Sequence, residues 1–121
     1  MKKNLIVAGS RGFNNSLLLE TELNKILRFG KKYGYEFTVL SGNARGADKM
    51  AVVFAKHNAI PFLLFIPDWT TAGRSAGVLR NLEMAKAADF CLCFWDGKSP
   101  GTSHMREICN RKSIPLRTVC Y

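Results

Sequence analysis

Short apolar runs alternate with amphipathic stretches along the whole 121-residue chain, and this alternation is what most constrains its fold. Residues 4–8 (NLIVA) form a short run that is apolar after Asn4 and ends at Gly9. Residues 16–29 carry leucines and isoleucine at helical spacing and are closed by Gly30. Continuous apolar runs are typical of parallel strands buried beneath helices on both faces. The predicted strands are 4–8, 36–40, 61–66, 90–94 and 115–120, and the predicted helices are 16–29, 45–58, 78–87 and 101–111.

Strands that alternate with helices predict an α/β architecture, and right-handed crossovers leave a doubly wound topology as the simplest solution. We therefore expect a single Rossmann-like three-layer domain over residues 1–121, with a five-stranded parallel sheet in the order 3-2-1-4-5. The composition agrees, because 47% hydrophobic and 22% charged residues are typical of a globular chain large enough to bury its own core.

The composition also bears on location and on cofactors. The longest apolar run, residues 62–67, is far too short to cross a bilayer, and the start of the chain enters a strand without a signal-peptide pattern. We expect a cytoplasmic protein with no membrane partner. The four cysteines have neither paired CxxC spacing nor neighbouring histidines, so we predict buried, reduced thiols, no metal site and no cofactor.

Charge favours anionic partners. Eighteen Lys and Arg residues against nine Asp and Glu residues leave a formal net charge of +9. Such an excess attracts small phosphates or nucleic acid at long range. Much of it lies away from any motif, where it serves a solvated surface: Lys2, Lys3, Lys25, Arg28, Lys31, Lys32, Arg111 and Lys112.

Glycine, hydroxyl and arginine residues are concentrated directly after four of the predicted strands, in the segments 9–13, 41–48, 67–69 and 95–102. The carboxyl ends of parallel strands lie at one edge of a sheet, so these four loops must share that edge. In open α/β sheets, ligands bind at this edge, where the strand order reverses. For the order 3-2-1-4-5 the reversal falls between the first and fourth strands.

The chemistry of these loops suits a phosphate group. Glycine lets backbone N–H groups approach an anion, a following helix adds its positive end, and arginine forks onto phosphate oxygens. No loop is a Walker A or GxGxxG motif, so the prediction rests on their convergence. The candidate ligand-binding residues are Gly9, Ser10, Arg11, Phe13, Ser41, Gly42, Ala44, Arg45, Gly46, Asp48, Asp68, Trp69, Arg74, Arg80, Asn81, Trp95, Asp96, Gly97, Ser99, Gly101, Thr102 and His104.

Some of these residues allow two interpretations. Trp69 and Trp95 follow strands, where an indole ring could stack on a base or pack into the core. Residues 69–80 are polar, with little periodicity, and could form an ordinary loop or a lid. Arg80 and Asn81 would open the helix that follows. His104 could contact a phosphate, act as an acid or lie on the surface.

Five motifs in order resemble the YspA-like branch of the SLOG superfamily: GSRGF, SGNARGADKMA, PDW, AGVLRNLEM and FWDGKSPGTSHM. The resemblance covers nearly the whole chain. It implies a Rossmann-like sheet that binds nucleotides or nucleotide-derived ligands such as ADP-ribose relatives, and it implies a homo-oligomer. We therefore expect a sensor or ligand-sequestering domain for a phosphate-bearing, nucleotide-derived small molecule.

A second resemblance raises N-glycosidic hydrolysis as an alternative function. RNLEM and SPGTSHM are similar to the arginine helix and the PGGxGTxxE loop of the Lonely-guy phosphoribohydrolases. The match places Arg80 on the catalytic arginine and Gly101 and Thr102 on the phosphate-binding pair, but it places Met105 on the catalytic glutamate. Methionine can neither move a proton nor stabilise an oxocarbenium-like charge. The carboxylates that could replace that glutamate are Asp48, Asp68, Asp96 and Glu107.

A third resemblance concerns nucleic acid. SGNARGAD is similar to the SGxARGID motif of DNA-processing protein A, which binds single-stranded DNA. A strand-binding groove interleaves basic and aromatic residues, whereas the basic residues here are scattered over helices. We therefore place single-stranded DNA binding third and do not expect nucleic acid as a partner.

Overall fold

The computed structural model describes the backbone of all 121 residues and every side chain except that of Arg74. Strands and helices alternate as the sequence predicts. The strands are β1 (Lys2–Gly9), β2 (Glu36–Ser41), β3 (Phe62–Leu64), β4 (Phe90–Trp95) and β5 (Leu116–Cys120). The helices are α1 (Ser16–Tyr33), α2 (Ala47–His57), α3 (Trp69–Ala72), α4 (Ala76–Ala87) and α5 (Pro100–Arg111).

The five strands form one parallel sheet in the order β3-β2-β1-β4-β5, which confirms the predicted Rossmann-like topology. β1 is central, with Ile6 opposite Leu40 of β2 on one side and Cys91 of β4 on the other. The chain runs outward from β1 to β3 and then returns to β4 beside β1. The strand order therefore reverses between β1 and β4.

Alternate residues of the central strand supply two cores. Leu5 and Val7 pack against α1 and α2 on one face, while Ile6 and Ala8 pack against α4 and α5 on the other. Because β1 is buried on both faces, nearly every one of its side chains can be apolar, which produces its continuous hydrophobic run.

The edge strand β3 differs from the prediction. Three residues pair with β2 instead of the six predicted, and Leu63 and Leu64 remain 52% and 44% exposed. α4 and α5 contact β1, β4 and β5, so the second helical layer leaves β3 largely uncovered. The expectation of cover on both faces is therefore wrong at this edge.

The segment between β3 and β4 is largely helical. An ordinary loop over residues 69–80 was one of the two expectations. α3 begins after Asp68, whose carboxylate accepts a hydrogen bond from the backbone of Thr71, and a 3-10 turn over Gly73–Ser75 leads directly into α4. α4 begins at Ala76 instead of residue 78, because Ala76 is buried. Arg80 and Asn81 consequently lie in the second turn of α4 and do not open it.

Cys91, Cys93 and Cys109 are reduced and buried in the core, as predicted. The expectation of a buried thiol is wrong for Cys120, which is exposed at the end of the edge strand β5. Of the helices described, none combines the length and the apolar character needed to cross a membrane.

Candidate ligand-binding site

A cavity of about 440 Å³ opens at the carboxyl edge of the sheet, beside the point where the strand order reverses. The loops after β1, β2 and β4 line it together with α2, α4 and α5. Ten of the predicted ligand-binding residues line this cavity: Gly9, Ser10, Arg11, Ala44, Asp48, Arg80, Asn81, Ser99, Gly101 and Thr102. The sequence prediction missed Ala8, Gly12 and Pro100, whose only signal was their position beside predicted residues. It also did not include Met105 among the ligand-binding residues, although Met105 lines the cavity.

The loops after β1, β2 and β4 approach one another closely, and glycine makes this possible. A Cβ on Gly9 would lie 2.7 Å from both the Cβ of Ala47 and the carbonyl oxygen of Phe94. The next residue, Ser10, is buried, and its backbone N–H donates to the Phe94 carbonyl at 2.9 Å. Its hydroxyl accepts from the backbone N–H of Asp96 at 3.2 Å, which joins the β1 and β4 loops.

Arg80 is held in place on one wall of the cavity. Its Nη1 donates to the Gly42 carbonyl at 2.6 Å, and its Nε donates to the Asn81 side-chain oxygen at 3.0 Å. A Cβ on Gly42 would collide with this guanidinium, so only glycine leaves it room. Burial lowers the pKa of Arg80, against the opposing charge of Asp48, but the guanidinium remains protonated.

Asn81 joins α4 to the start of α5. Its side-chain nitrogen lies 3.2 Å from both the Gly101 carbonyl oxygen and Nδ1 of His104, and the residue is 6% exposed. Because the same side chain orients Arg80, the arginine is positioned against the amino end of α5. His104 therefore supports Asn81 and is absent from the cavity lining.

The amino end of α5 faces the cavity with free backbone N–H groups. Ser99 makes no side-chain capping bond, Pro100 occupies the first turn, and that turn contains no acidic residue. Thr102 adds a hydroxyl group that is buried at the cavity wall. An uncapped helix start of this kind attracts an anion through its N–H groups and its macrodipole.

Asp48 introduces a negative charge into this cavity. It lies in the first turn of α2 and is 5% exposed. Burial raises its pKa from 3.8 to about 6, against the opposing effects of the Arg80 charge and of N–H groups donated by Ala44 and Gly9. Among the side chains described, no cation lies within the 4.0 Å of its carboxylate that an ion pair requires.

The other three candidate carboxylates lie outside the cavity lining. Asp68 accepts from Thr70 and Thr71 at the start of α3, and Asp96 accepts from the backbones of Lys98 and Ser99. These hydrogen bonds lower the pKa of both carboxyls to about 2. Glu107 is exposed on α5.

Several predicted ligand-binding residues do not line the cavity and instead contact other parts of the protein. The Phe13 ring is buried 4.6 Å from that of Phe94, measured between centroids. The Trp95 ring lies beneath the Arg106 guanidinium at 4.2 Å, and its N–H donates to the Ser99 carbonyl. The hydroxyl of Ser41 donates to the backbone of Asp48.

The remaining predicted residues lie at turns or on the surface. Trp69 and Arg45 are exposed away from the cavity lining. Gly46 and Gly97 adopt positive φ angles of 93° and 82° in the β2 and β4 loops. The Arg74 side chain lies outside the part of the chain that the structure describes.

The fold and the cavity define a class: Rossmann-like α/β domains with a cavity at the reversal of the strand order. Within that class, the chain belongs to the YspA, cpYpsA-related SLOG family, whose profile matches residues 4–71. The chain is also similar to the gene 61 protein of Mycobacterium phage D29, with 42% identity over 89 residues that cover 68% of this chain and 70% of that protein. No solved structure matches the chain. Membership of this family fits a nucleotide-related ligand-binding role.

Proposed function

We propose that the protein binds a phosphate-bearing, nucleotide-derived small molecule in this cavity and acts as a sensor or sequestering domain. The observation that carries the proposal is the convergence of the Arg80 guanidinium and the uncapped start of α5 on one cavity. Both attract an anion, and both are fixed before a ligand arrives, which reduces the entropy lost on binding.

The size and the charge of the site support this proposal. A cavity of about 440 Å³ falls within the range of about 300–1,000 Å³ that is common for small-molecule sites. Arg11 is exposed at the mouth of the cavity, where its charge adds to that of Arg80. A nucleoside phosphate would place its phosphate among the N–H groups of α5 and direct its sugar toward α2.

The decisive experiment is calorimetric titration with nucleoside mono- and diphosphates and ADP-ribose. Arg80→Ala removes a charge-assisted contact, so we expect affinity to fall about ten- to a hundredfold. The variant also loses the bond to the Gly42 carbonyl and is therefore titrated below its own unfolding temperature. Arg111→Ala is the matched control, because Arg111 is an exposed arginine at the far end of α5. Equal affinities for wild type, Arg80→Ala and Arg111→Ala would move the site elsewhere.

Two further variants test the predicted arginine cluster. Arg11→Ala should weaken binding less than Arg80→Ala, since Arg11 is exposed and water screens its charge. Arg45→Ala should have the smallest effect, because Arg45 is exposed away from the cavity lining.

A further inference from the structure

We propose that Asp48 selects ribose phosphates by accepting a hydrogen bond from a hydroxyl group of the ligand's sugar. This inference rests on the proposed function and names the part of the ligand that the second wall of the cavity recognises.

The position of Asp48 supports this role. Its carboxylate and the Arg80 guanidinium approach the same point above Gly42: a Cβ there would lie 2.9 Å from the Asp48 Oδ2 and would also collide with Arg80. Both side chains line the cavity, yet the Arg80 nitrogen atoms lie more than 4.0 Å from the Asp48 carboxylate oxygens, so the two do not form an ion pair. The carboxylate therefore keeps acceptor capacity toward the cavity.

The other charged and polar groups of the cavity favour an anion. They are the Arg80 and Arg11 guanidinium groups, the Thr102 hydroxyl and the N–H groups of α5. A phosphate placed against Asp48 would meet like charge at close range. The group that approaches Asp48 must instead donate a hydrogen, and the sugar hydroxyls of a ribose phosphate are the donors nearest to its phosphate.

A purely structural role accounts for Asp48 less well. The backbone N–H groups of Ala44 and Gly9 and the charge of Arg80 act to lower the pKa of this carboxyl. Burial disfavours the charged form strongly enough to outweigh all three. At neutral pH the fold thus holds a charge that opposes its own stability, as expected for a residue retained for a ligand.

The test compares ligands that differ by one hydroxyl. AMP, GMP, CMP and UMP, their 2′-deoxy and 3′-deoxy forms, and inorganic phosphate are titrated into wild type, Asp48→Ala and Asp48→Asn. We expect wild type to prefer the ribonucleotide over at least one deoxy form by about tenfold or more, the effect of a hydrogen bond to a charged group. Asp48→Ala should abolish this preference, and Asp48→Asn should reduce it because the amide oxygen still accepts.

For inorganic phosphate we expect the Asp48 variants to lose no affinity, in contrast to the ribonucleotides. Losing the Asp48 charge removes repulsion, so phosphate should bind either variant at least as well as wild type. Glu83→Gln is the control, because it removes a carboxylate from the exposed face of α4, the helix that carries Arg80. If Asp48→Ala does not fold, Asp48→Asn carries the same comparison.

The role of Asp48 and the proposed function fail in different ways. Nucleotide binding that requires Arg80 but shows no preference for ribose overturns the role of Asp48 alone. The same holds if the preference survives in Asp48→Ala, or if Asp48→Ala weakens phosphate and all nucleotides equally, as a structural residue would. Absence of any nucleotide binding by wild type overturns the proposed function itself.

Discussion

At the residue scale, Asp48 links the chemistry of the cavity to the stability of the fold. Its pKa is raised to about 6 in the folded protein, against 3.8 for an ordinary aspartate. The folded state therefore binds a proton more tightly than the unfolded state, and the charged carboxylate lowers stability at pH 7. This penalty is fully present above about pH 6 and disappears as the pH falls toward about 4.

The difference in unfolding free energy between wild type and Asp48→Asn should therefore depend on pH. Between about pH 7 and pH 4 we expect wild type to gain up to about 3 kcal/mol relative to the variant, the equivalent of the shift in pKa. Urea denaturation of both proteins across this range measures the difference in unfolding free energy. The contributions of other titrating groups are the same in both proteins and cancel from this difference. A difference that stays flat with pH would mean that Asp48 titrates at its ordinary pKa.

Met105 is the residue that bears most directly on turnover. It lines the cavity and is 1% exposed, at the position where the phosphoribohydrolase pattern has glutamate. Because breaking an N-glycosidic bond builds positive charge on the sugar, a thioether there gives no electrostatic help. We predict that AMP, GMP and CMP release no appreciable free base, as measured by chromatography after prolonged incubation.

The same assay identifies the alternative. If base is released, Asp48 becomes the first carboxylate to test, because Asp68, Asp96 and Glu107 lie outside the cavity lining. Asp48→Asn should then abolish release, whereas Glu107→Gln should not.

At the scale of the element, α2 shows how a helix start is fixed by its neighbours. Gly46 precedes the helix with a φ of 93°, and a Cβ there would lie 2.6 Å from the carbonyl oxygen of Ser10. Both the backbone conformation and the space exclude a side chain. The contact brings the β2 loop against the β1 loop and so sets the position of Asp48.

Gly46→Ala should consequently destabilise the protein by about 2 kcal/mol or more, since it combines an unfavourable φ with a clash against backbone. Chemical denaturation gives the value. Gly12→Ala is the control: a Cβ on Gly12 would meet no heavy atom within 4 Å, and Gly12 has no positive φ. Its unfolding free energy should therefore change by no more than about 0.5 kcal/mol. Similar stabilities for the two variants would show that the β1 and β2 loops are less closely packed.

Element types and their order could be predicted from the sequence because buried strands and amphipathic helices leave distinct periodicities. The start of α4 could not, because Ala76 and Gly77 show no such pattern and Ala76 is buried only through tertiary packing. The exposure of Leu63 could not be predicted from the sequence either, because an edge strand can be as apolar as a central one.

The candidate site could be predicted in outline for a topological reason. Parallel strands bring their carboxyl ends together, so Arg80, Thr102 and Asp48 could be grouped from the order of strands and loops alone. The direction of a side chain could not, because it depends on neighbours from distant segments. Phe13 and Trp95 occupy predicted loops, yet one ring is buried against Phe94 and the other packs beneath Arg106.

At the scale of the whole molecule, exposed apolar side chains are concentrated between β3 and the start of α4. We call this the β3 surface and define it by Leu63, Ile66, Trp69, Val78 and Leu79, each at least 45% exposed. Apolar patches that remain open on a small domain often mark contact sites between subunits. The β3 surface is accordingly where we expect a homo-oligomer to form.

Sedimentation velocity tests this expectation. We predict that wild type sediments as an oligomer at micromolar concentration and that Leu79→Glu shifts it to the monomer, because a charge would be buried in the contact. Leu17→Glu is the matched control, since Leu17 is a 73% exposed leucine on α1, outside the β3 surface. A monomeric wild type, or an oligomer unaffected by Leu79→Glu, would contradict the assignment.

The bond between Arg80 and the Gly42 carbonyl joins segments 38 positions apart, and the contact between Ser10 and Asp96 joins segments 86 positions apart. No short peptide cut from the chain contains both sides of either contact. Amide hydrogens of the central strand β1 should therefore exchange with solvent only through openings that also dismantle the cavity. A ligand held by both walls will raise the free energy of that opening by RT ln(1 + L/Kd), where L is the free ligand concentration, so occupancy will be recorded as slower exchange in β1 amides that never touch the ligand.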